Sequence, residues 1–441
     1  MSEMLFPAAE GGAEAEETRP SAAPAKRPAA RLAYADRRQV QLRPSDLESL
    51  LAEDHRARVV WHFVSKLDLT AFHARIASRE GTAGRPAFDP AVLLTLWIYA
   101  TLEAVGSARA LARLCEEHDA YRWICGGLTI NHHTLSDFRV ERAKEIDELL
   151  TKVVGSLLAA GAVTMDRVAQ DGMKVRASAG APSFRRKDSL EKCLKDAREQ
   201  VQALRRELDA APDASDGRRR AARERAASER EARVEEALRQ WSDVAERRTG
   251  SHEEREVSAR VSTTDPDARV MKMADGGFRP AFNAQLATDA KTQVIVGVTL
   301  TNSGGDMGQM EPMLDDLRRR HGRLPREHLV DGGYSRPQAI EDAAARGVQV
   351  FAPVRRQDRD SPKRAQDGPG VRAWLERMDS GPGKAAYAER PATAECVNAI
   401  ARNRGLRNFL VRGVPKCLAV LTLFALAHNV MRAVDLLATP V

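Results

Sequence analysis

Val168-Ala169-Gln170-Asp171-Gly172-Met173-Lys174-Val175 reads as a β-strand with a carboxylate set in its middle. Two more acids stand in comparable settings. Asp331 closes the apolar part of His328-Leu329-Val330-Asp331-Gly332-Gly333-Tyr334, and Glu395 lies in a helix-reading run after Tyr387 and Arg390. Carboxylates on two strand positions and a following helix are what a fold needs to hold two divalent cations for phosphodiester chemistry. Such cations prefer hard oxygen ligands and keep several waters, so a few carboxylates suffice. Clustered acids repel one another: two at about 4 Å cost about 4 kcal/mol at an effective dielectric near 20. A cluster of this kind persists mainly when cations occupy it. The pattern therefore points to a nuclease or polynucleotidyl transferase rather than a small-molecule enzyme.

Among 62 acidic residues most are solvated surface charges, so each choice needs a reason. Asp331 follows apolar Leu329-Val330 and precedes Gly332-Gly333, where backbone can approach a ligand closely. Asp171 competes with Asp166, and Gly172 with the strand pattern favours Asp171. Glu395 competes with Glu389. Pro391 suits a first helical turn, which leaves Glu389 in the preceding loop. Positions 391, 395 and 402 are spaced to share one helical face, so Arg402 goes with Glu395.

Outward from these acids the period of the chain changes several times. Residues 1–42, rich in Ala, Pro, Glu and Arg, read as a flexible leader. Residues 43–160 are helical throughout and form an all-α domain. Within it Ser107–Cys115, a break at Gly126-Gly127 and Asn131–Arg139 suggest a helix-turn-helix-like unit, against the alternative of a bundle that does not touch DNA. After Asp171, Leu190, Leu194, Ala197, Val201, Leu204 and Leu208 form a heptad seam. A break around Pro212 and a second helical stretch through Val234 and Trp241 complete an inserted antiparallel hairpin, residues 184–258. It holds 19 Lys/Arg against 18 Asp/Glu, so packing or assembly is its expected role and direct DNA binding the minority reading. From Phe278 the period is 2, with a hairpin around Asp289–Thr292. A helix (307–321), the strand ending at Asp331, a helix (338–345), a strand (348–353) and a long helix follow. Residues 161–183 and 259–435 thus predict an α/β catalytic domain, a ribonuclease H-like mixed sheet interrupted by the hairpin.

Charge supports a polyanion partner. The chain carries a net charge of +7 with pI near 9.2. Between Cys396 and Val434 stand Arg402, Arg404, Arg407, Arg412, Lys416 and Arg432 with no acid among them, next to Glu395. Five scattered cysteines without a Cys-x-x-Cys pair argue against a zinc site or disulfide framework and for a reducing compartment. No secretory leader is legible at the amino end. The apolar run Cys417–His428 is shorter than the roughly 20 residues of a membrane span and reads as a buried core helix.

Asp171-Gly172, Asp331-Gly332-Gly333-Tyr334, and Tyr387, Arg390, Glu395 and Arg402 together resemble the bacterial insertion-sequence transposases of the DDE class, in the group with a Tyr-Arg-Glu-Lys signature. Gly84-Arg85-Pro86, Ser107-x-Arg109 and Thr134-Leu135-Ser136-x-Phe138-Arg139 resemble the amino-terminal domain of the same group. So do Ser262–Asp267, Phe282-Asn283-x-Gln285 and Arg412-Gly413 with Asn429. The resemblance spans about residues 43–435. Two positions depart from the pattern: Arg402 replaces the usual Lys, and four residues rather than three separate Arg390 from Glu395.

The resemblance implies that Asp171, Asp331 and Glu395 are catalytic metal ligands for two Mg²⁺ (or Mn²⁺) ions. Tyr387, Arg390 and Arg402, with Arg404 and Arg407, would hold flanking DNA phosphates. The helical domain, through Arg85, Arg109 and Arg139, would recognise the element's terminal inverted repeats. The implied partners are double-stranded repeat and target DNA and a second copy of the chain on DNA, with no membrane. The implied place is the bacterial cytoplasm, at the nucleoid when DNA-bound. A ribonuclease H-like nuclease that cuts without joining, and an inactive DNA-binding descendant, are the alternatives.

Overall fold

The computed structural model describes residues 46–79, 81, 85–210, 217–354 and 367–438. The expected leader (1–42), Gly84 and the Pro212 break of the hairpin lie outside the described residues.

Eight strands are described: β1 (Arg167–Arg176), β2 (Phe184–Arg185), β3 (Val261–Ser262), β4 (Arg269–Lys272), β5 (Phe278–Asp289), β6 (Ile295–Thr301), β7 (Glu327–Leu329) and β8 (Gln349–Phe351). β1 sits in the middle because both its edges are paired. It runs antiparallel to β5, with Asp171 opposite Leu286 and Gly172 opposite Gln285, and parallel to β7. β7 pairs parallel with β8. On its far edge the long β5 takes β4 along Phe278–Ala281 and β6 along Asn283–Thr288, both antiparallel. An antiparallel half joined at β1 to a parallel half is the ribonuclease H-like arrangement, as the order of elements predicts.

Two helices run between 369 and 387, Pro369–Asp379 and Gly381–Tyr387, where the sequence reading placed none. Each opens on a proline in its first turn, which suits a helix start. The Trp374 ring nitrogen donates to the Ala352 carbonyl just past β8, which fixes the first of them to the sheet. The expected strand to Pro353 ends at Phe351, and the helix expected from Met307 begins at Met310.

The insert opens on β2, holds two long helices, Lys187–Ala210 and Gly217–Glu246, and closes on a short third, His252–Ser258. Arg198 pairs with Glu231 and Glu235, and Arg205 with Glu224, so the helices run antiparallel. Leu190, Leu194, Ala197 and Val201 of the heptad seam are buried. At its base Leu190, Ala237, Trp241 and Val244 join Ala259 and Val261 in a small hydrophobic cluster separate from the main core.

The amino-terminal helices behave differently. Pro90–Leu102 and Ala143–Ala159 pack on the last helix, Val414–Ala438, which also lies against β6. Helices and sheet share one continuous core. Val414–Leu437 is long and apolar enough to cross a membrane by length and composition, and 72% of its apolar window is buried inside the protein. Its Asn429 side chain accepts from the Ile295 amide at 2.8 Å and donates to the Ile295 carbonyl at 2.7 Å, so a helix closes the edge of β6. Arg320, almost fully buried, binds Asp316 at 2.7 Å and also Asp147 of the Ala143–Ala159 helix, tying that helix to the sheet's own Met310–His321.

These two cores predict opposite responses to deletion. Replacing residues 188–248 with a short Gly/Ser linker should leave a protein that still unfolds cooperatively. Removing residues 46–160 strips Leu423 and Phe424, which share a cleft with Trp97 and Arg139, of part of their cover, at about 1.5–3 kcal/mol for each side chain fully re-exposed. That truncated chain should be insoluble or lack a cooperative melt. Calorimetry of both chains checks this, and the reverse pattern would overturn the two-core reading.

Candidate active site

β1 presents Asp171 on the face opposite Gly172, since successive strand residues point to opposite sides. Asp171 is mostly buried and its two oxygens are separately held. Oδ1 accepts from Arg390 Nη2 at 2.7 Å and Oδ2 from the Asn398 amide at 2.8 Å. Arg390 turns its other amino group to Glu395 Oε1 at 2.9 Å. One guanidinium therefore spans two of the three acids. Burial raises the Asp171 carboxyl above its usual range; Arg390 and Asn398 oppose the shift and the Asp331 charge adds to it. Asp331 lies two residues past β7, in a tight turn where the Gly333 amide donates to its Oδ1 at 2.6 Å. Burial raises the Tyr387 phenol, Arg390 lowers it, and the charges of Asp331, Glu395 and Asp171 raise it further.

The local backbone explains how Arg390 and Glu395 meet. Pro391–Glu395 is a π-turn that runs into the helix Cys396–Asn403, with the Cys396 amide bonded to the Pro391 carbonyl five residues back. A π-turn closes i→i+5 rather than i→i+4 bonds, so it brings together residues five apart. Arg390 and Glu395 are five apart, and the extra residue between them is taken up by the wider turn. Glu389 goes elsewhere. It is half-exposed and pairs at 2.6 Å with Arg167, near the start of β1 and four residues before Asp171. Asp166 is exposed just before β1.

Beneath the acids, on the other face of β1, lies a polar layer that the sequence reading missed. His328, fully buried, bonds Gln170 at 3.1 Å, and Gln170 donates to Gln285 Oε1 at 2.9 Å. The Tyr334 hydroxyl donates to the same Gln285 oxygen. Gln285 and Asn283 both donate to Asp306 Oδ1 at 2.8 Å. Burial raises the Tyr334 phenol, and Asp306, Asp171 and Asp331 add to the rise in that order, so Asp306 is a fourth carboxylate beside the site. Its sequence signal was Gly304-Gly305 before it, the mirror of the glycine pair after Asp331. Asn398 was also missed, though it shares the helical face of Glu395 at a spacing of three. Its amide oxygen is buried without a hydrogen-bond partner.

The expected DNA-binding cations divide into two groups. Arg85, Arg109, Arg402 and Arg407 are exposed. Arg139 is not available to a phosphate: it is 4% exposed, donates to the Gly106 carbonyl at 2.8 Å and lies over the Trp97 ring at 4.1 Å. That expectation is corrected, because burial against the ring and the carbonyl holds the guanidinium inside the protein, away from a phosphate. Arg404 is partly buried in the same cleft between Trp97, Gly106 and Leu406. Arg390 is 7% exposed and engaged with acids rather than open to DNA.

Among the described residues no three His, Cys, Asp or Glu side chains are gathered as a ready-made metal cage. The donor chemistry nonetheless fits divalent cations. The donors are hard oxygens, and one guanidinium faces Asp171 and Glu395 with Asp331 close by, leaving net negative charge.

Gly172 tests the packing of the polar layer. A Cβ there would lie 2.3 Å from Asp306 Oδ1, 2.5 Å from Gln285 Nε2 and 3.0 Å from Asn283 Oδ1. Gly172→Ala should lower stability by about 1–3 kcal/mol in denaturant unfolding. An unchanged midpoint would mean that the layer is not packed against β1.

Two family models match the chain. The Transposase domain (DUF772) matches residues 45–141, and the Transposase DDE domain matches residues 257–405. No curated protein and no solved structure matches it. The second match contains Asp331 and Glu395 and begins after Asp171, which the sheet brings back through the pairing of β1 with β5 and β7. The helical block, the ribonuclease H-like sheet and these two matches, which together cover more than half the sequence, lead to one conclusion: the chain belongs to the insertion-sequence DDE transposases, DNA transposases of the metal-dependent polynucleotidyl transferase and endonuclease class.

Proposed function

We propose that this transposase binds the terminal inverted repeats of its element, cuts the strands at the element's ends and joins them to target DNA, with Asp171, Asp331 and Glu395 as its catalytic acids. The observation that carries the reading is the convergence of Asp171 and Glu395 on one guanidinium, with Asp331 two residues past Leu329, the partner of Ala169 on the adjacent parallel strand. Two Mg²⁺ (or Mn²⁺) ions bound by these acids would supply Lewis acidity and clamp the attacking and leaving oxygens at phosphorus. Arg390 and Asn398 orient the Asp171 carboxylate, and the Gly333 amide orients that of Asp331. In cleavage a water oxygen bonds to phosphorus and the bond to the 3′ oxygen breaks. In joining, the freed 3′-hydroxyl oxygen bonds to a target phosphorus while the bond from that phosphorus to the target's own 3′ oxygen breaks, and that oxygen leaves as a hydroxyl. Arg402 and Arg407, both exposed and close in sequence to Glu395, would hold the flanking backbone. Two DNA ends held together imply a homodimer on DNA, and DNA as substrate implies the bacterial nucleoid in the cytoplasm.

The experiment is cleavage and joining of end-labelled DNA from the element's own flanks. Asp331→Asn should lose at least nine-tenths of Mg²⁺-dependent cleavage while binding those ends nearly as well as the unaltered chain. A variant that cuts normally removes Asp331 from the site. Cleavage without joined product, even with paired ends and target DNA present, would instead make the protein a nuclease.

The third acid has its own test. Glu395→Gln should abolish cleavage, whereas Glu389→Gln, which breaks only a half-exposed pair with Arg167, should not. The reverse result would exchange the two assignments.

A further inference from the structure

At the base of the inserted hairpin, away from the acids, three arginines face one concavity of about 270 Å³. Arg230 and Arg233 come from the Gly217–Glu246 helix and Arg412 from the loop before the last helix, with Thr263 and Thr264 as the polar floor. Arg230 and Arg233 are three apart and share a helical face. The charge there is poorly matched. The carboxylate of Glu229 stands 3.8 Å from Arg233 and is itself 75% exposed, and the Arg233 Nε is buried without a partner. Arg230 finds a neutral Gln200 at 3.3 Å, and Arg412 a carbonyl, that of Ser178, at 3.4 Å. Asp265, buried nearby, is engaged by the Gly413 amide at 3.1 Å. Burial and the like charges of Arg412 and Arg230 pull the Arg233 guanidinium below its usual range, with Glu229 opposing. Among the described residues the only carboxylate in ion-pair reach of these three guanidinia is the exposed Glu229, and Asp265, whose second oxygen is buried without a partner, adds its charge beside Arg412.

Further exposed arginines stand on the segments between this concavity and the acids. Arg407 Nε donates to the Arg402 carbonyl at 3.1 Å, and the Arg407 carbonyl accepts from the Arg176 amide at 3.1 Å. Arg402, Arg407, Arg176 and Arg412 are all exposed. Ser178, which Arg412 touches, is seven residues along from Asp171. At about 3.3 Å per residue this is on the order of 20 Å, or roughly six steps of a DNA strand at about 3.4 Å each.

We propose that the concavity between Arg230, Arg233 and Arg412 is a phosphate site that grips the backbone of DNA held in the catalytic domain, which makes the inserted hairpin part of the DNA-binding surface. The inference rests on the transposase reading for the source of the phosphate. A guanidinium fork matches phosphate oxygens bidentately, and three such forks with two threonines suit one phosphodiester. An evenly balanced charge count over the whole insert hides the site, because its acids, Glu229 beside Arg233 included, do not line the concavity.

The test measures binding of the full-length protein to a labelled duplex over a range of salt concentrations, with inorganic phosphate in a parallel melting experiment. Every phosphate that the protein ceases to neutralise lowers the slope of log affinity against log salt by about 0.9. Arg230→Ala/Arg233→Ala and, separately, Arg412→Ala should each flatten the slope by about that amount and weaken binding several-fold. Arg233→Lys should keep most of the slope, and Arg223→Ala/Arg225→Ala, further along the same helix, should keep all of it. Melting temperatures of the free variants within a few degrees of the unaltered chain establish that folding is intact. If the unaltered chain binds DNA and the variants match its slope, the inference falls and the transposase reading stands. If in addition inorganic phosphate raises the melting temperature of the unaltered chain alone, the site takes a free anion instead. If the unaltered chain does not bind DNA, both readings fall.

Discussion

Asp171 and Glu395 can face one another only with positive charge between them, and the whole catalytic half of the protein is arranged around that constraint. Arg390 provides the charge in the present structure, bonded to both acids and itself almost fully buried. A buried guanidinium with two carboxylate partners loses much less than one left alone, since an unpaired buried charge costs several kcal/mol. The arrangement needs β1 to deliver Asp171, the end of β7 to deliver Asp331, and a turn wide enough to put Glu395 five residues after Arg390. Three acids against one nearby guanidinium leave net negative charge, the physical ground for the family's dependence on divalent cations.

Sequence pattern points to those parts of the candidate site that depend on local rules. The strand carrying Asp171, the glycine pair after Asp331 and the proline that separates Glu389 from Glu395 are each short-range signals. The mixed character of the sheet was legible for a similar reason, from period-2 runs and the helices between them, whereas the short strands β2, β3 and β4 were not. What stayed hidden depends on pairing between distant segments. Gln170 reaches Gln285 and His328 across more than a hundred residues of sequence, and no local pattern announces such a layer. Asn398 and Asp306 are ordinary polar residues until the sheet sets them beside Asp171 and Gly172.

Arginine was the residue type least readable in this way. Arg139, Arg390 and Arg404 carry the same charge as Arg402 and Arg407, yet the first three are drawn into the protein. A guanidinium is planar and weakly hydrated enough to stack on Trp97 or bridge two acids, and only the surrounding structure decides between that and an exposed role. Counting basic residues after Glu395 therefore marks a stretch that carries exposed cations, such as Arg402 and Arg407, without saying which of its side chains turn inward.

The two hydrophobic clusters divide the molecule unevenly. The amino-terminal helices are fused to the sheet through the last helix, so the block matched by the first family model and the DDE sheet form one body. The hairpin has its own small core, yet it is not loosely hung. Gln240 donates to Asp267 at 2.8 Å and accepts from Arg269 at 2.8 Å, and Asp267 also accepts from the Val414 amide at 2.9 Å. Those bonds join the second hairpin helix, β4 and the start of the last helix at a single point. Arg233 lies two helical turns from Gln240, and Arg412 lies two residues before Val414. The geometry of the arginine concavity is thus set by the same polar junction that orients the insert on the sheet, and a hairpin with a separate core can still hold its side chains in fixed register with the catalytic strand.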